Sequence, residues 1–149
     1  MMTPHWRLRF LSVAREVSTW SKDPSTPVGA LIVTPNRKRI QLAYNGPPSR
    51  LKDSKWQNGT RERRLAATIH AENNAITLAS FDTEGCWIFV YGLFPCTGCA
   101  DMIVQAGIST VVCYREHMDA KRWNPEEAME ILKDGGVNVV VHKLKEKTK

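Results

Sequence analysis

The sequence contains no long hydrophobic run, no internal repeat and no low-complexity segment. No apolar stretch approaches the roughly 20 residues that a membrane-spanning helix requires. Arg7 and Arg9 are not followed by an uninterrupted apolar segment or a small-residue cleavage site, so we expect no signal peptide. These absences predict a cytoplasmic protein with no membrane partner, and the length of 149 residues predicts one domain over residues 1–149.

Cysteine is scarce, with four residues at Cys86, Cys96, Cys99 and Cys113. Because no signal peptide is expected, a reducing compartment is favoured over a pair of disulfides. Cys86 and Cys113 lie in apolar, strand-like runs and are predicted to be small core residues. The short spacing of the other two favours metal binding.

Positive charge is in excess. There are 21 Lys and Arg residues against 15 Asp and Glu, which gives a formal net charge of +6. Much of the excess lies at residues 50–64 and in the tail at residues 143–149. A basic balance favours an anionic partner, either nucleic acid or a nucleotide phosphate. For the tail, the favoured interpretation is solubility alone.

An amphipathic helix is predicted near the N-terminus, beginning close to Pro4 and ending before the turn-forming residues 21–27. Its large apolar residues recur at helical spacing and are predicted to face the core: Trp6, Phe10, Val13, Ala14, Val17 and Trp20. Residues 28–34 and 40–44 are then predicted to form a hairpin with a polar turn at residues 35–39.

The second part of the chain alternates helices and strands, after a long segment at residues 45–64 that is predicted to be a loop. Helices are predicted at residues 66–80, 96–106 and 125–134, and strands at residues 86–91, 110–114 and 138–142. This alternation predicts an α/β fold in which helices cover a mixed sheet.

The most informative motifs are His-Ala-Glu at residues 70–72 and Pro-Cys-Thr-Gly-Cys at residues 95–99. One imidazole and two thiolates form a zinc ligand set that leaves one tetrahedral position open for water. Cys96 and Cys99 lie three positions apart, so the first turn of a helix would place them on one face. His70 also lies near a predicted helix start, so two helix N-termini are expected to converge on one Zn²⁺ ion.

Glu72 lies two residues from His70 and is not needed to complete the ligand set. A carboxylate beside a zinc-bound water supports hydrolysis, and Glu72 is predicted to transfer protons to and from the substrate. One alternative is a structural zinc site closed by a fourth ligand, such as His5, His117 or His142. Another treats Glu72 as an ordinary surface carboxylate in the first turn of a helix.

The two motifs match the signature of zinc-dependent nucleobase deaminases. Beyond them, the chain resembles the deoxycytidylate (dCMP) deaminase family over nearly its whole length. The matching blocks are Ser-Lys-Asp-Pro at residues 21–24, Val-Gly-Ala at 28–30, Tyr-Asn-Gly at 44–46, Asn-Ala-Ile at 74–76, Phe-Pro-Cys at 94–96 and Gln-Ala-Gly-Ile at 105–108. The zinc motifs are typical of the broad cytidine deaminase superfamily, whereas the blocks at residues 21–24 and 44–46 are typical of the dCMP branch.

The resemblance implies a cytidine deaminase-like, three-layer α/β/α fold with a mixed five-stranded sheet and helices on both faces. It implies a hydrolase that converts dCMP and water to dUMP and ammonia, which supplies dUMP for dTTP synthesis. By the same resemblance, His70, Cys96 and Cys99 bind Zn²⁺ and Glu72 is the catalytic residue.

The resemblance also implies contacts with the substrate. Asn45 would hydrogen-bond the deoxyribose hydroxyl, and the Ala71 backbone amide would bind the pyrimidine carbonyl. His117 lies near the position at which a tyrosine of family members approaches the substrate. Several basic residues are open candidates for the phosphate: Lys22, Arg50, Lys52, Lys55, Arg61, Arg63 and Arg64.

Partners implied by the resemblance are dCTP and dTTP as effectors and further copies of the chain, in a hexamer or a dimer. Two residues depart from the family pattern. Ala43 replaces the first glycine of a Gly-Tyr-Asn-Gly segment that helps to bind the effectors, and Pro27 stands where the family often has glutamine. The catalytic residues are unchanged by these departures.

Two other functions stay open at this point. A polynucleotide deaminase, acting on tRNA adenine or single-stranded DNA cytosine, would use the basic loop and the five tryptophans. However, tryptophans at helical spacing are typical of a core, so nucleic acid is not the expected partner. A catalytically silent zinc domain that binds nucleotides would keep the metal ligands without using Glu72.

Overall fold

A computed structural model describes residues 2–120 and 123–144. The basic tail noted above therefore lies mostly outside the described residues, at 145–149. The helices are α1 (Pro4–Ser18), α2 (Asp53–Gln57), α3 (Arg61–Ala66), α4 (Ala71–Leu78), α5 (Thr97–Gln105) and α6 (Pro125–Asp134). The strands are β1 (Gly29–Val33), β2 (Ile40–Tyr44), β3 (Trp87–Tyr91), β4 (Thr110–Tyr114) and β5 (Asn138–His142).

The five strands form one mixed sheet in the order β2-β1-β3-β4-β5. β1 is antiparallel to both of its neighbours, whereas β3, β4 and β5 are parallel. All five residues of β1 are buried. Short apolar strands without polar alternation are typical of a sheet covered on both faces, and this sheet has helices on each side.

α1 covers one face of the sheet. Its buried residues Phe10, Leu11 and Ala14 pack against a cluster that includes Leu31 of β1 and Phe89 of β3. Successive strand residues point to opposite faces, so alternate positions of each strand serve this cluster. A Cβ atom at Gly29 would lie 2.1 Å from the carbonyl oxygen of Ala14, so glycine is needed where α1 crosses the start of β1.

α4, α5 and α6 cover the other face. Small buried residues, including Ala71, Ala75 and Ala100, bring α4 and α5 close to the sheet. Gly46, just after β2, forms an isolated antiparallel bridge with Ile69, which fixes the chain just before α4. The three-layer α/β/α architecture predicted from the resemblance is therefore confirmed.

Three predictions about local structure were wrong. The segment at residues 45–64 is not one loop, because it contains α2 and most of α3, and the helix predicted from residue 66 begins only at Ala71. The short helices have no periodic apolar pattern, and they fold around buried Trp56, whose Nε1 donates to the carbonyl oxygen of Arg64 and to Thr68 Oγ1.

The third error concerns the N-terminal helical pattern. Val13 and Trp20 are exposed to 42% and 49%, although their spacing predicted burial. Val13 lies to one side of the narrow stripe that α1 presents to the sheet, and Trp20 lies in the turn after the end of α1. Within the described residues, no helix combines the length and the apolar character needed to cross a membrane.

Candidate active site

Three donor atoms from separate parts of the chain meet at one end of the sheet. His70 Nδ1 lies 3.2 Å from Cys99 Sγ and 3.4 Å from Cys96 Sγ. His70 is the N-cap of α4, and Cys96 is the N-cap of α5, whose first turn carries Cys99. The imidazole makes no capping hydrogen bond of its own, so it is turned toward the thiols. The predicted meeting of two helix N-termini is confirmed.

This cluster fits a zinc ion. The three ligand atoms lie within 4.8 Å of one another. Zn–N and Zn–S bonds of about 2.1 and 2.3 Å in a tetrahedron separate nitrogen from sulfur by about 3.6 Å, close to the observed separations. Over residues 2–120 and 123–144, no fourth His, Cys, Asp or Glu joins the cluster, so His5, His117 and His142 do not close it.

The local environment favours one thiolate even before metal is considered. A hydrogen bond with Cys99 and further hydrogen bonds with His70 and the Cys99 backbone lower the pKa of Cys96 to about 4, against the effect of burial. The pKa of Cys99 is raised, because Cys99 shares its proton with Cys96 and is buried. A divalent ion would take the place of that shared proton, since zinc binds thiolate rather than thiol.

Glu72 is only 3% exposed, and it is not one of the three residues that form the ligand cluster. It lies in the first turn of α4, two residues after His70. Burial raises the pKa of its carboxyl group. A carboxyl group that exchanges its proton nearer to neutral pH is suited to general acid–base work.

Two of the metal ligands, His70 and Cys96, line an open cleft of about 620 Å³, a volume that includes space open to solvent. The polar side chains of Glu72, His70 and Asn45 line it together with apolar Leu93 and Phe94. Arg61 and Leu65 of α3 are exposed and also line it, and we call the segment that carries them, residues 53–68, the rim of the cleft. The cleft therefore combines a metal-binding floor, apolar walls and a cation at the rim.

Comparison with known proteins identifies this arrangement. The model of the "cytidine and deoxycytidylate deaminase zinc-binding region" matches residues 4–115, which include every part of the metal cluster.

The chain belongs to the cytidine and deoxycytidylate deaminase family.

Among relatives, an "uncharacterized deaminase in luxG 3'region" of Aliivibrio fischeri is 41% identical over 141 residues, which are 93% of this chain and 94% of that protein. The deoxycytidylate deaminase of Mus musculus is 41% identical over 114 residues, or 72% of this chain, and the match spans 63% of the mouse protein. The crystal structure of the dCMP deaminase from cyanophage S-TIM5 has a TM-score of 0.73 over 95% of this chain and 100% of that one, with 24% identity. At that identity, the structural likeness shows the fold alone.

Some of the residues predicted to contact the substrate of this deaminase lie at the cleft. Asn45 and Ala71 line it. Asn45 is 6% exposed, and its Oδ1 accepts from Val28 N while its Nδ2 donates to the carbonyl oxygen of Thr26, both at 2.9 Å. The second N–H of the Asn45 amide has no partner among residues 2–120 and 123–144, so it is available for a ligand.

Other predicted substrate residues lie elsewhere. Lys22 is exposed and pairs with Asp53, Arg50 is exposed, and His117 lies behind the loop between β3 and α5. None of these three residues lines the cleft. Their contact with substrate therefore stays a prediction, and of the basic residues considered for a phosphate, Arg61 is the one that reaches the cleft among the described residues.

Sequence reasoning missed part of the cleft wall, namely Leu65, Thr68, Leu93 and Trp123. The Trp123 ring meets His70 edge-on, with ring centroids 6.3 Å apart and an interplanar angle of 86°. One signal could have drawn attention to Trp123. It is a large aromatic residue outside any periodic pattern, and it directly precedes Asn124, the N-cap of α6.

Proposed function

We propose that this chain deaminates dCMP hydrolytically, yielding dUMP and ammonia and so supplying dUMP for dTTP synthesis. The observation that carries the proposal is a buried carboxyl group, Glu72, in the same cleft as a three-donor zinc site with no fourth protein ligand among the described residues. The choice of dCMP draws support from the mouse and human relatives, both deoxycytidylate deaminases, at 41% and 40% identity. One deaminase domain over residues 1–149 is part of the same proposal.

His70, Cys96 and Cys99 would hold the zinc, which supplies a Lewis acid that makes water nucleophilic near neutral pH. Glu72 accepts a proton from the attacking water and delivers it to N3 of the cytosine ring. Once the water oxygen has bonded to C4, Glu72 takes the remaining proton from the new C4 hydroxyl and passes it to the amino group. The C4–N bond then breaks, ammonia leaves, and C4 becomes a carbonyl carbon. The raised pKa of Glu72 suits both directions of this transfer.

The remaining cleft residues are assigned to recognition. The Ala71 backbone N–H, at the start of α4, would bind the pyrimidine carbonyl oxygen. The free N–H of Asn45 would bind the deoxyribose hydroxyl, and the guanidinium of Arg61 would bind the phosphate, for which its planar donors are suited. Neither Lys22 nor Arg50 is needed for this set.

Assembly and regulation extend the proposal. We propose a homo-oligomer, a hexamer or a dimer, for which the support is the exposed apolar face of β2 at Ile40, Leu42 and Tyr44. Such a row of apolar residues on an edge strand favours contact with another chain. Effector binding by dCTP and dTTP, and a cytoplasmic location, stay predictions.

The proposal is tested by measuring ammonia release from dCMP, CMP, deoxycytidine, dCTP and a cytosine-containing oligonucleotide, with and without a chelator. We expect dCMP to be the best substrate and the chelator to abolish its turnover. Activity confined to the oligonucleotide, with affinity that falls steeply as salt rises, would instead support a polynucleotide deaminase.

Glu72→Gln tests the assignment of the proton carrier. We expect the variant to keep its zinc and to lose roughly 10²–10⁴-fold in turnover, the contribution typical of general acid–base catalysis. Glu126→Gln is a matched control, because Glu126 also lies in the first turn of a helix but is exposed. Full activity of Glu72→Gln with bound zinc would refute the assignment.

A further inference from the structure

His117 holds the loop that carries part of the active site without itself reaching the cleft. It lies on a 3-10 turn, Arg115–Met118, directly after β4. Its Nδ1 accepts a hydrogen bond from Gly92 N at 3.2 Å, and its carbonyl oxygen accepts one from Phe94 N at 3.1 Å. One residue thus contacts the loop between β3 and α5 at two positions.

That loop supplies two kinds of active-site residue. Leu93 and Phe94 line the cleft, and Cys96, two residues further on, is a metal ligand and the N-cap of α5. A displacement of the backbone at Phe94 would therefore move a cleft wall and a ligand together. Small errors in the position of reacting groups have large effects on rate.

Gly92 connects this loop to the opposite wall. Its φ of +115° is a conformation that side chains disfavour, and a Cβ atom there would lie 2.4 Å from the carbonyl oxygen of Pro27. The segment beside Pro27 is fixed by Asn45, which bonds both Thr26 and Val28. The hydrogen bond from Gly92 N to His117 Nδ1 therefore fixes the backbone at Gly92, where the loop between β3 and α5 packs against the segment beside Pro27.

The imidazole of His117 is itself held in one orientation. Its ring lies edge-on to the rings of Tyr91 and Tyr114, with centroids 4.6 Å and 5.8 Å away and interplanar angles of 83° and 87°. Burial lowers the pKa of His117, although Glu116 opposes the effect. A neutral imidazole with its proton on Nε2 is the form whose Nδ1 can accept from Gly92.

We propose that His117 is a positioning residue, which sets the backbone of the loop at residues 92–96 and thereby the places of Phe94 and Cys96. This inference rests on the proposed function for its effect on turnover, but its effect on metal affinity does not depend on which substrate is used. It gives His117 a role that needs no contact with substrate.

Two substitutions separate the hydrogen bond from the ring. His117→Phe keeps an aromatic ring against Tyr91 and Tyr114 but removes the acceptor, whereas His117→Asn keeps an acceptor of the same reach and removes the ring. Thr83→Val is the control, because Thr83 Oγ1 ties a different half-buried loop to the carbonyl oxygen of Ala106 at 2.8 Å, away from the cleft.

The measurements are kcat/KM for dCMP, zinc affinity by competition with a chelator, and thermal stability. We expect His117→Phe to lose about 10-fold in both kcat/KM and zinc affinity, the lower end of effects seen when residues that orient metal ligands are changed. His117→Asn should recover most of both losses. Thr83→Val should lower thermal stability while leaving kcat/KM and zinc affinity unchanged.

Two results would overturn the inference. In one, His117→Phe loses thermal stability but keeps wild-type kcat/KM and zinc affinity, so that its role is structural. In the other, His117→Asn is impaired as much as His117→Phe, so that the ring rather than the acceptor matters. If the wild-type protein did not act on dCMP, the proposed function would fail while the zinc measurement still decided the role of His117.

Discussion

The floor and the rim of the cleft are built in different ways. The floor, defined here as His70, Glu72, Cys96 and Cys99, lies at the N-termini of α4 and α5, which have 8 and 9 residues and pack directly on the sheet. The rim, defined as residues 53–68, consists of α2 and α3, with 5 and 6 residues, and its single buried helical residue is Trp56.

This difference separates two demands on the protein. Groups that react must be held within a few tenths of an ångström, so they belong on elements supported by the main core. Groups that recognise the substrate can lie on a segment that opens locally at a lower free energy than global unfolding. We therefore infer that changes at the floor abolish chemistry, whereas changes at the rim alter substrate affinity.

Removing one metal ligand should produce the largest effect. Cys99→Ala is expected to lose zinc and to lower turnover of dCMP by at least about 10⁴-fold, because the pKa of water is about 15.7 when free and about 7 when bound to zinc. Cys113→Ala is the control, since Cys113 is fully buried in β4 but does not belong to the ligand cluster. Metal analysis and ammonia release would measure both variants. A zinc-loaded, active Cys99→Ala protein would contradict the floor assignment.

Removing the cation at the rim should have an intermediate effect. Arg61→Ala is expected to raise KM for dCMP about 10- to 100-fold with little change in kcat, since a hydrogen bond to a charged group contributes about 1.5–3 kcal/mol. Arg63→Ala is the matched control, because Arg63 lies on the same helix, is exposed and does not line the cleft. A fall in kcat with unchanged KM would show that the rim is not a recognition element.

The floor could be predicted from the sequence because its geometry depends on residues that lie close together along the chain. Two cysteines three positions apart share the first turn of a helix, and a histidine before a helix start meets them at the same end of the sheet. All five strands were placed within one residue of their bounds for the same reason, since short apolar runs between turn residues identify strands locally.

The rim could not be predicted, because its structure depends on contacts between distant residues. α2 and α3 lack a periodic apolar stripe and depend on Trp56, which reaches 12 positions along the chain to Thr68. Trp123, which follows β4 in the chain, also lines the cleft. Tertiary contacts of this kind override local propensity, so a sequence pattern does not reveal them.

Removing the hydrogen bonds of Trp56 inside the rim should have a smaller effect than removing Arg61. Trp56→Phe removes the donor to Arg64 and Thr68, and we expect it to make local opening easier by about 1 kcal/mol, or about 5-fold in hydrogen-exchange protection. The amides of Arg64 and Ala67, which close the turns of α3, would report it, while those of β3 should not change. Trp87→Phe is the control at a tryptophan on the sheet. Equal loss of protection in rim and sheet would show that the two regions unfold together.

The smallest expected effect comes from titration of His117, which contacts the loop at residues 92–96. Burial lowers the pKa of His117 below its ordinary value near 6.5, so between the two values the unfolded chain binds more protons than the folded one. The stabilising contribution is therefore complete above about pH 6.5 and is lost as the pH falls through the folded pKa.

The groups that face His117 are Tyr91, with Arg15 over its ring, together with Tyr114 and Glu116. Melting temperatures of wild type and His117→Phe at pH 7.5 and 5.5, measured with enough zinc to saturate the weaker-binding variant at both pH values, would isolate the effect. The similarly lowered pKa of His142 is common to both proteins. The wild type should lose more stability on acidification than the variant. Equal losses of melting temperature in the two proteins would contradict the prediction. They would show that His117 binds as many protons in the folded as in the unfolded chain over this pH range, so that its contact with the loop at residues 92–96 does not depend on pH.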